Sequence, residues 1–174
     1  MQHCASIVKN IEAMTFYFIN HRLKCRMLDA AMPRITHMGN AFFTIGLALS
    51  IILFGKNDAK VAGWQALAAL VSSHCLVQLL KLLLRRMRPF ATLKDVNILG
   101  KLPKDPSFPS GHSTASFALA TSLTLYWPVV AAIGMPTAVL VALSRVYLGY
   151  HYPSDIIAGT LLGIISALGI GWII

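Results

Sequence analysis

The sequence has few charged residues and few cysteines, and these two shortages narrow the classes of protein that it can encode. Only 12% of its 174 residues are charged, and only six are Asp or Glu, whereas a soluble domain carries about 25% charged residues. Two-metal hydrolases need clustered carboxylates, and six scattered acidic residues provide no such cluster. The three cysteines, Cys4, Cys25 and Cys75, form no CxxC pair, so neither a disulfide framework nor a zinc site is predicted.

More than half of the sequence is apolar. Apolar residues make up 56% of the chain, and the mean hydropathy is +0.67, which indicates a membrane protein. The net charge of +9 is also typical of nucleic-acid-binding proteins. Here, however, the basic residues cluster at the ends of apolar runs, without interleaved aromatics, where Lys and Arg meet lipid headgroups. We therefore expect membrane lipids as partners and no nucleic acid.

Five apolar runs have the length of membrane-spanning helices. We predict an all-α, polytopic membrane helix bundle in a single integral-membrane domain over residues 1–174. Residues 35–174 would form the bundle. The predicted spans cover approximately residues 35–54, 61–84, 111–127, 129–148 and 153–174.

The first 34 residues differ from the rest of the chain. Lys9 and Glu12 interrupt the start, so a signal peptide is not predicted. Apolar residues keep helical spacing at Ile7, Ile11, Met14 and Phe18. This pattern predicts an amphipathic helix at the membrane surface, followed by a connector. A short sixth span is the alternative.

Three polar segments lie at the ends of predicted spans. They are Lys81-Leu-Leu-Leu-Arg-Arg-Met-Arg88-Pro89, Pro109-Ser110-Gly111-His112, and Ser144-Arg145 with His151 and Asp155 further on. A chain that crosses a bilayer repeatedly alternates sides. The end of span two, the start of span three and the end of span four therefore fall on the same membrane face, where the three segments can meet.

Ser110, Gly111 and His112 have the pattern of a helix start. Ser110 is a favourable N-cap, and Gly111 allows a ligand to approach the backbone. The unpaired N–H groups of the first turn, together with the helix dipole, bind anions. His112 would stand beside such an anion and could exchange a proton with it.

In this order and spacing, the three segments resemble the tripartite signature of the type-2 phosphatidic acid phosphatase family, the lipid phosphate phosphatases that share their site with vanadium haloperoxidases. The match extends from Lys81 to Asp155 and has no departure at a catalytic position. The small size of the chain resembles bacterial members. The resemblance implies a lipid phosphatase with an extracytoplasmic active site. The first eighty residues and the loop over residues 91–106 carry no such match.

Phosphoryl transfer accounts for the cations in these segments, because the charge on the phosphate oxygens must be neutralised. Lys81 and Arg88 lie seven residues apart, so they share one helix face and can reach one phosphate. Arg145 has a planar guanidinium that suits two phosphate oxygens. Arg85 could assist, although an interfacial arginine is the favoured interpretation.

His151, His112 and Asp155 are the predicted catalytic residues. A neutral His151 can attack phosphorus through one ring nitrogen if the other nitrogen donates to Asp155, four residues later. His112 would protonate the leaving oxygen and then activate water. This sequence of steps makes a phosphohistidine intermediate.

Three functions remain open. The preferred one is a metal-independent lipid phosphatase without a cofactor, acting on undecaprenyl diphosphate or a similar polyprenyl diphosphate. Phosphatidylglycerol phosphate and phosphatidic acid are the alternative substrates. A haloperoxidase is disfavoured because those relatives are soluble. A non-enzymatic lipid-phosphate binding or transport protein is disfavoured because both histidines are present. The oligomeric state stays open.

The orientation of the bundle is contested. Five Lys and Arg residues precede span one and seven lie between Lys81 and Lys104, against Lys56 and Lys60 on the opposite side. Counted literally, this distribution places the active site in the cytoplasm. Because several of these cations serve the site, we instead expect the extracytoplasmic face of a cell membrane.

Overall fold

The computed structural model describes the backbone of residues 2–174, and the side chains of Ile7 and of residues 9–174. Within this part of the chain all regular structure is helical, which confirms the all-α prediction. The helices are α1 (Gln2–Tyr17), α2 (Arg26–Ile35), α3 (Ala41–Phe54), α4 (Asp58–Leu84), α5 (Pro89–Thr92), α6 (Gly111–Tyr126), α7 (Ala131–Tyr147) and α8 (Pro153–Gly171). A π-helical turn follows α1, and 3-10 turns lead into α3 and α7.

Helix α6 lies at the centre of the bundle and packs against α4, α7 and α8. Nearly every residue from Ser113 to Leu123 is buried, and most of them are Ser, Thr or Ala. Such small side chains let neighbouring helices approach closely. The hydroxyls of Thr114 and Thr124 donate to carbonyls one turn earlier in α6. These polar groups therefore cost little in an apolar interior.

Two glycines of α8 set its distance from α6. A Cβ atom at Gly159 would lie 2.5 Å from the Ser110 carbonyl oxygen, and one at Gly163 would overlap the Thr114 carbonyl oxygen. Only glycine permits this approach. The contact aligns the first turn of α8 with the first turn of α6, and it brings two of the three polar segments together.

The outer surface of the bundle is apolar, as a lipid-facing surface requires. Large hydrophobic side chains are exposed on several helices, including Phe42, Leu53, Leu82, Ile133 and Ile165. Three helical stretches have the length and composition of membrane spans: α4 with the residues up to Thr92, α7 with its preceding turn, and α8. These features confirm a multi-pass membrane protein.

The remaining two predicted spans differ from the observed helices. The first does not run unbroken from Ile35: α2 and its 3-10 turn end at Gly39, and α3 begins at Ala41 after a bend of 51°. Asn40 produces this break because it caps α3, its side chain accepting from the Phe43 N–H. The third predicted span, α6, has 16 residues, fewer than the roughly 20 that cross a bilayer.

The N-terminal helix is present and longer than predicted. The apolar residues that defined its amphipathic face are all exposed: Ile7, Ile11 and Met14 on α1, and Phe18 at the start of the π-helical turn. Phe16 is fully buried and packs against the bundle, close to Tyr152 at the start of α8. One face of α1 thus contacts protein and another presents apolar side chains outward. Its position at the membrane surface, and the boundary at residue 34, stay predictions.

Candidate active site

The three polar segments meet at one end of the bundle. They line a cavity of about 550 Å³. The cavity receives two residues from each segment: Lys81 and Arg88, Gly111 and His112, and Arg145 and His151. Ser110 and Asp155 are completely buried behind this wall, where the Ser110 N–H donates to the Asp155 carbonyl oxygen.

Lys81 and Arg88 provide positive charge on one side of the cavity. They do not share a helix face as predicted, because α4 ends at Leu84 and Arg88 precedes α5 in an extended conformation. Both side chains are nevertheless buried, and a loop segment covers them. The Lys81 ammonium forms an ion pair with Asp105 and donates to the Pro106 carbonyl oxygen at 2.8 Å. The Arg88 guanidinium donates to the Asp105 carboxylate at 2.9 Å. Asp105 had no assigned role from the sequence, since the long loop that carries it has no helical or motif spacing.

The first turn of α6 has the predicted anion-binding geometry. The Ser110 hydroxyl accepts from the Ser113 N–H at 3.4 Å, which makes Ser110 the N-cap. A Cβ atom at Gly111 would meet no atom nearer than Val77, at 3.9 Å. The space beside Gly111 is therefore open to a ligand. His112 follows in the same turn and is partly exposed to the cavity.

Arg145 extends from α7 into the same cavity and is buried. One terminal nitrogen donates to the Thr36 hydroxyl at 2.8 Å, and the guanidinium lies 4.7 Å from the centre of the Tyr150 ring. Its Nε has no hydrogen-bond partner within the described residues. A buried guanidinium with an unused donor is suited to an anionic ligand.

His151 is buried with its two ring nitrogens in different environments. Nε2 lies 3.2 Å from Nη1 of Arg88, at the cavity. Nδ1 lies 3.5 Å from the carboxylate of Asp155, longer than an ordinary hydrogen bond. Burial lowers the pKa of His151 to about 3. The charge of Arg145 acts in the same direction, and the contact with Asp155 acts in the opposite one. The imidazole is therefore neutral at physiological pH, as a nucleophile requires.

Several groups fix the Asp155 carboxylate. It accepts from the Tyr152 N–H at 2.9 Å, the Ser107 hydroxyl at 2.5 Å and Arg86 at 2.7 Å. Arg86 in turn pairs with Glu12 of α1 at 2.6 Å. Sequence reasoning missed Arg86, Ser107 and Glu12. Only Arg86 had a usable signal, because it shares the cationic segment.

Two other polar residues lie on α4 and at its end, outside the cationic end of the cavity. Arg85 is exposed, does not line the cavity, and donates to the Leu82 carbonyl oxygen in its own helix. This placement favours the interfacial interpretation over a helper role. His74 is exposed on the cavity wall and contacts Gln78 at 3.1 Å.

The cavity also extends along α3 and α4, where apolar side chains alternate with polar ones such as Thr44, Ser73 and His74. Ile45 of α3 and Leu70 and Val77 of α4 line this extension. One end of the cavity thus offers buried positive charge and a neutral histidine, and the other offers hydrocarbon surface. Such an arrangement can hold a phosphate at one end and the chain attached to it at the other.

A membrane-embedded helix bundle in which three buried cations and two histidines meet at one end of a cavity defines a membrane protein that acts on phosphorylated amphiphiles. The model of the PAP2 superfamily matches residues 62–174, and the chain belongs to this superfamily. The resemblance found in the three segments is thereby confirmed. The protein is a membrane lipid phosphatase, a hydrolase of phosphoester or diphosphate bonds.

Similar proteins include two curated relatives and a solved structure. The bacitracin transport permease protein BcrC of Bacillus licheniformis is 36% identical over 94% of this chain and 79% of its own. An undecaprenyl-diphosphatase of Sulfolobus acidocaldarius is 32% identical over 85% of this chain and 71% of its own. A PAP2-type phosphatidylglycerolphosphate phosphatase of Bacillus subtilis aligns with a TM-score of 0.80 and 26% identity over 96% of this chain and 86% of that one.

Proposed function

We propose that the protein removes the terminal phosphate of a polyprenyl diphosphate, undecaprenyl diphosphate in particular, through a phosphohistidine intermediate. The observation that carries this proposal is the placement of His151. Its Nε2 lies at the cavity beside Arg88, and its Nδ1 lies toward a fixed carboxylate, Asp155. His112 is a second imidazole at this end of the cavity, but among the described residues only His151 has a carboxylate beside its ring to orient it.

The first half of the reaction transfers the phosphoryl group to the protein. Nε2 of His151 attacks phosphorus, a P–N bond forms, and the bond from phosphorus to the leaving oxygen breaks. Lys81, Arg88 and Arg145 neutralise the charge on the non-bridging oxygens, and the first-turn N–H groups of α6 add donors. Asp155 holds the ring and stabilises the positive charge that develops on it.

His112 serves the leaving group and then the water. In the first half His112 must hold a second ring proton, which it gives to the departing oxygen. In the second half it takes a proton from water, whose oxygen attacks phosphorus and breaks the P–N bond. His151 is restored, and inorganic phosphate and the lipid product leave. With a diphosphate substrate the lipid product is the lipid monophosphate.

The donor set supports a mechanism that needs no metal. The carboxylate nearest the cationic end, Asp105, is paired with Lys81 and Arg88, and Asp155 is paired with Arg86. Cations thus already satisfy these oxygens. We assign the charge neutralisation that a metal supplies in other phosphatases to the protein cations.

The apolar extension between α3 and α4 supports a lipid substrate. A polyprenyl chain would lie along Ile45, Leu70 and Val77 while its phosphate reaches the cations. The name of the Sulfolobus relative, undecaprenyl-diphosphatase, favours undecaprenyl diphosphate as the substrate. The Bacillus subtilis structure keeps phosphatidylglycerol phosphate as the second candidate, and phosphatidic acid is the third. We place the site on the extracytoplasmic face, since the cations that argue otherwise include the site residues themselves.

A substrate panel tests this function. The protein, purified in detergent, is assayed for phosphate release from undecaprenyl diphosphate, phosphatidylglycerol phosphate and phosphatidic acid at equal surface concentration. We expect the largest kcat/KM for the diphosphate and no release by His151→Ala. A protein that binds these lipids but releases phosphate from none of them would support the binding or transport alternative instead.

A further inference from the structure

A carboxylate of the protein itself occupies the two cations of the first segment. One oxygen of Asp105 lies 2.9 Å from Nη2 of Arg88, and the other pairs with Nζ of Lys81. The backbone adds to this contact, since Nε of Arg88 donates to the Asp105 carbonyl oxygen at 2.8 Å. Donors that the proposed mechanism directs at phosphate are therefore used by the chain in the ligand-free structure.

The carboxylate can leave these cations, whereas the cations cannot follow it. The Asp105 side chain is 53% exposed, against 7% for Lys81 and 4% for Arg88. Asp105 lies in the loop between α5 and α6 and lines the cavity. Rotation of that one side chain into solvent would free a donor of each cation, while the contacts with the Asp105 and Pro106 carbonyl oxygens stay in place.

Asp105 remains charged under all physiological conditions. Its partial burial acts in the opposite direction, but the hydrogen bond and charge of Lys81 and the charge of Arg88 lower its pKa to about 2. It is still a weaker ligand than phosphate. A phosphate monoester brings up to two negative charges and three acceptor oxygens, and it can also reach the unused donor of Arg145.

The nucleophile is covered in the same ligand-free arrangement. Nη1 of Arg88 lies 3.2 Å from Nε2 of His151 and also donates to the Tyr150 carbonyl oxygen. Arg88 is therefore held between the nucleophile on one side and Asp105 on the other. A phosphate that enters must take over the contacts on both sides, and when it departs the chain can restore them.

We propose that Asp105 competes with phosphate for Lys81 and Arg88: it leaves these cations when the lipid phosphate binds, and its return displaces the inorganic phosphate that hydrolysis produces. Three buried cations would otherwise retain that product. An internal competitor raises the apparent Kd of every anion by the reciprocal of the fraction of sites that it leaves free. Asp105 therefore limits affinity for substrate in order to speed product release. This inference rests on the proposed function, because it assigns Lys81 and Arg88 to phosphate.

Asp105→Asn tests the competition because it keeps the shape of the side chain and removes its charge. In the full-length protein in detergent, we expect inorganic phosphate to inhibit this variant at a roughly tenfold lower concentration than the wild type, the effect of losing one charge-assisted hydrogen bond. KM and steady-state kcat should both fall. The first turnover should stay fast, which gives a burst of lipid product followed by a slower rate set by phosphate release.

Two further variants complete the design. Asp95→Asn removes an exposed charge in the same loop, outside the cavity. Phosphate should inhibit this variant at the same concentration as the wild type. Asp105→Glu keeps the charge and should restore weak phosphate inhibition.

Three results would overturn parts of this account. If Asp105→Asn shows no burst and binds phosphate no more tightly than the wild type, Asp105 only positions the cations. The proposed competition is then wrong. If Asp105→Glu behaves like Asp105→Asn, the charge is not what competes, and the competition is again wrong. A wild type that cleaves no lipid phosphate would overturn the proposed function itself.

Discussion

Arg86 joins Asp155 to the N-terminal helix: its Nη1 lies 2.7 Å from the Asp155 carboxylate, and its Nη2 lies 2.6 Å from the Glu12 carboxylate. The guanidinium also lies 4.2 Å from the centre of the Tyr152 ring. Asp155 is completely buried, and a buried carboxylate without a positive partner is strongly destabilising. Arg86 thus provides the charge that keeps Asp155 ionised beside His151.

Replacing Arg86 should therefore damage catalysis from outside the cavity. We expect Arg86→Gln to lower kcat by roughly tenfold to a hundredfold, with a smaller change in KM, because Asp155 is freed to turn away from His151. The control is Arg85→Gln, which removes the neighbouring exposed guanidinium and should leave kcat within about twofold. Steady-state kinetics on one lipid phosphate measure both. Equal losses in the two variants would contradict a specific role for Arg86.

Much of the cavity could be predicted because it depends on local spacing and on the number of spans. The prediction that Lys81 and Arg88 share one helix face is wrong, because α4 ends at Leu84, although both side chains line the cavity. The alternation of spans correctly places Gly111 and Arg145 at the same end of the bundle. These inferences need no knowledge of tertiary packing. The helix start at Gly111 followed in the same way from the N-cap at Ser110.

Contacts between distant parts of the chain could not be predicted in this way. Glu12 lies 74 positions from Arg86, and nothing in the local pattern of α1 distinguishes an acid that faces the bundle from one that faces water. Asp105 sits in an irregular loop, where spacing gives no direction for a side chain. The bend before α3 depends on Asn40, a polar residue inside an otherwise apolar stretch that hydropathy alone joins into one span.

The pKa of His151 predicts a pH dependence of stability. Burial lowers this pKa from 6.5 to about 3; the charge of Arg145 acts in the same direction and the contact with Asp155 in the opposite one. In that interval the unfolded chain takes up a proton at His151 that the folded protein does not, so stability falls as the pH falls. The effect is at most about 1.4 kcal/mol per pH unit.

His151→Gln isolates this contribution because all other titrating groups stay. We expect the difference in Tm between pH 7 and pH 5 to be smaller for His151→Gln than for the wild type, measured by thermal unfolding in the same detergent. Parallel curves for the two proteins would show that His151 takes up its proton in the folded state as readily as in the unfolded one.

The cationic site predicts sensitivity to vanadate and insensitivity to chelators. Vanadate can adopt the five-coordinate geometry that phosphorus has in the transition state. The positive charges of Lys81, Arg88 and Arg145 would neutralise it in the same way. We expect competitive inhibition by vanadate and unchanged activity in excess EDTA. Initial rates over a matrix of substrate and vanadate concentrations measure the first. Loss of activity in EDTA that returns with a divalent cation would contradict the assignment of charge neutralisation to the protein.

The orientation of the site can be measured with single cysteines. Lys94 follows the end of α4 and Lys56 precedes its start, so the two lie on opposite membrane faces, and both are exposed. With the native cysteines replaced by Ser, we expect a membrane-impermeant thiol reagent added to intact cells to label Lys94→Cys and not Lys56→Cys. The reverse pattern would place the active site in the cytoplasm.

The two histidines should be separable by the leaving group of the substrate. If His151 forms the P–N bond, His151→Ala has no covalent route and should be inactive on every substrate. If His112 gives the proton to the departing oxygen, its importance depends on how basic that oxygen is. General acid catalysis contributes about 10²–10⁴-fold, and the contribution is largest for an alkoxide and smallest for an aryl oxide or a phosphate.

We therefore expect His112→Ala to lose much more activity on an alkyl phosphate than on an aryl phosphate of matched chain length. The measurement is single-turnover cleavage of the two phosphates, because product release then does not mask the chemical step. Both histidines line the same cavity, so loss of substrate binding would affect the two substrates alike. Equal losses for His112→Ala on both would show that this residue is not the leaving-group acid, whereas a selective loss would place its proton on the departing oxygen.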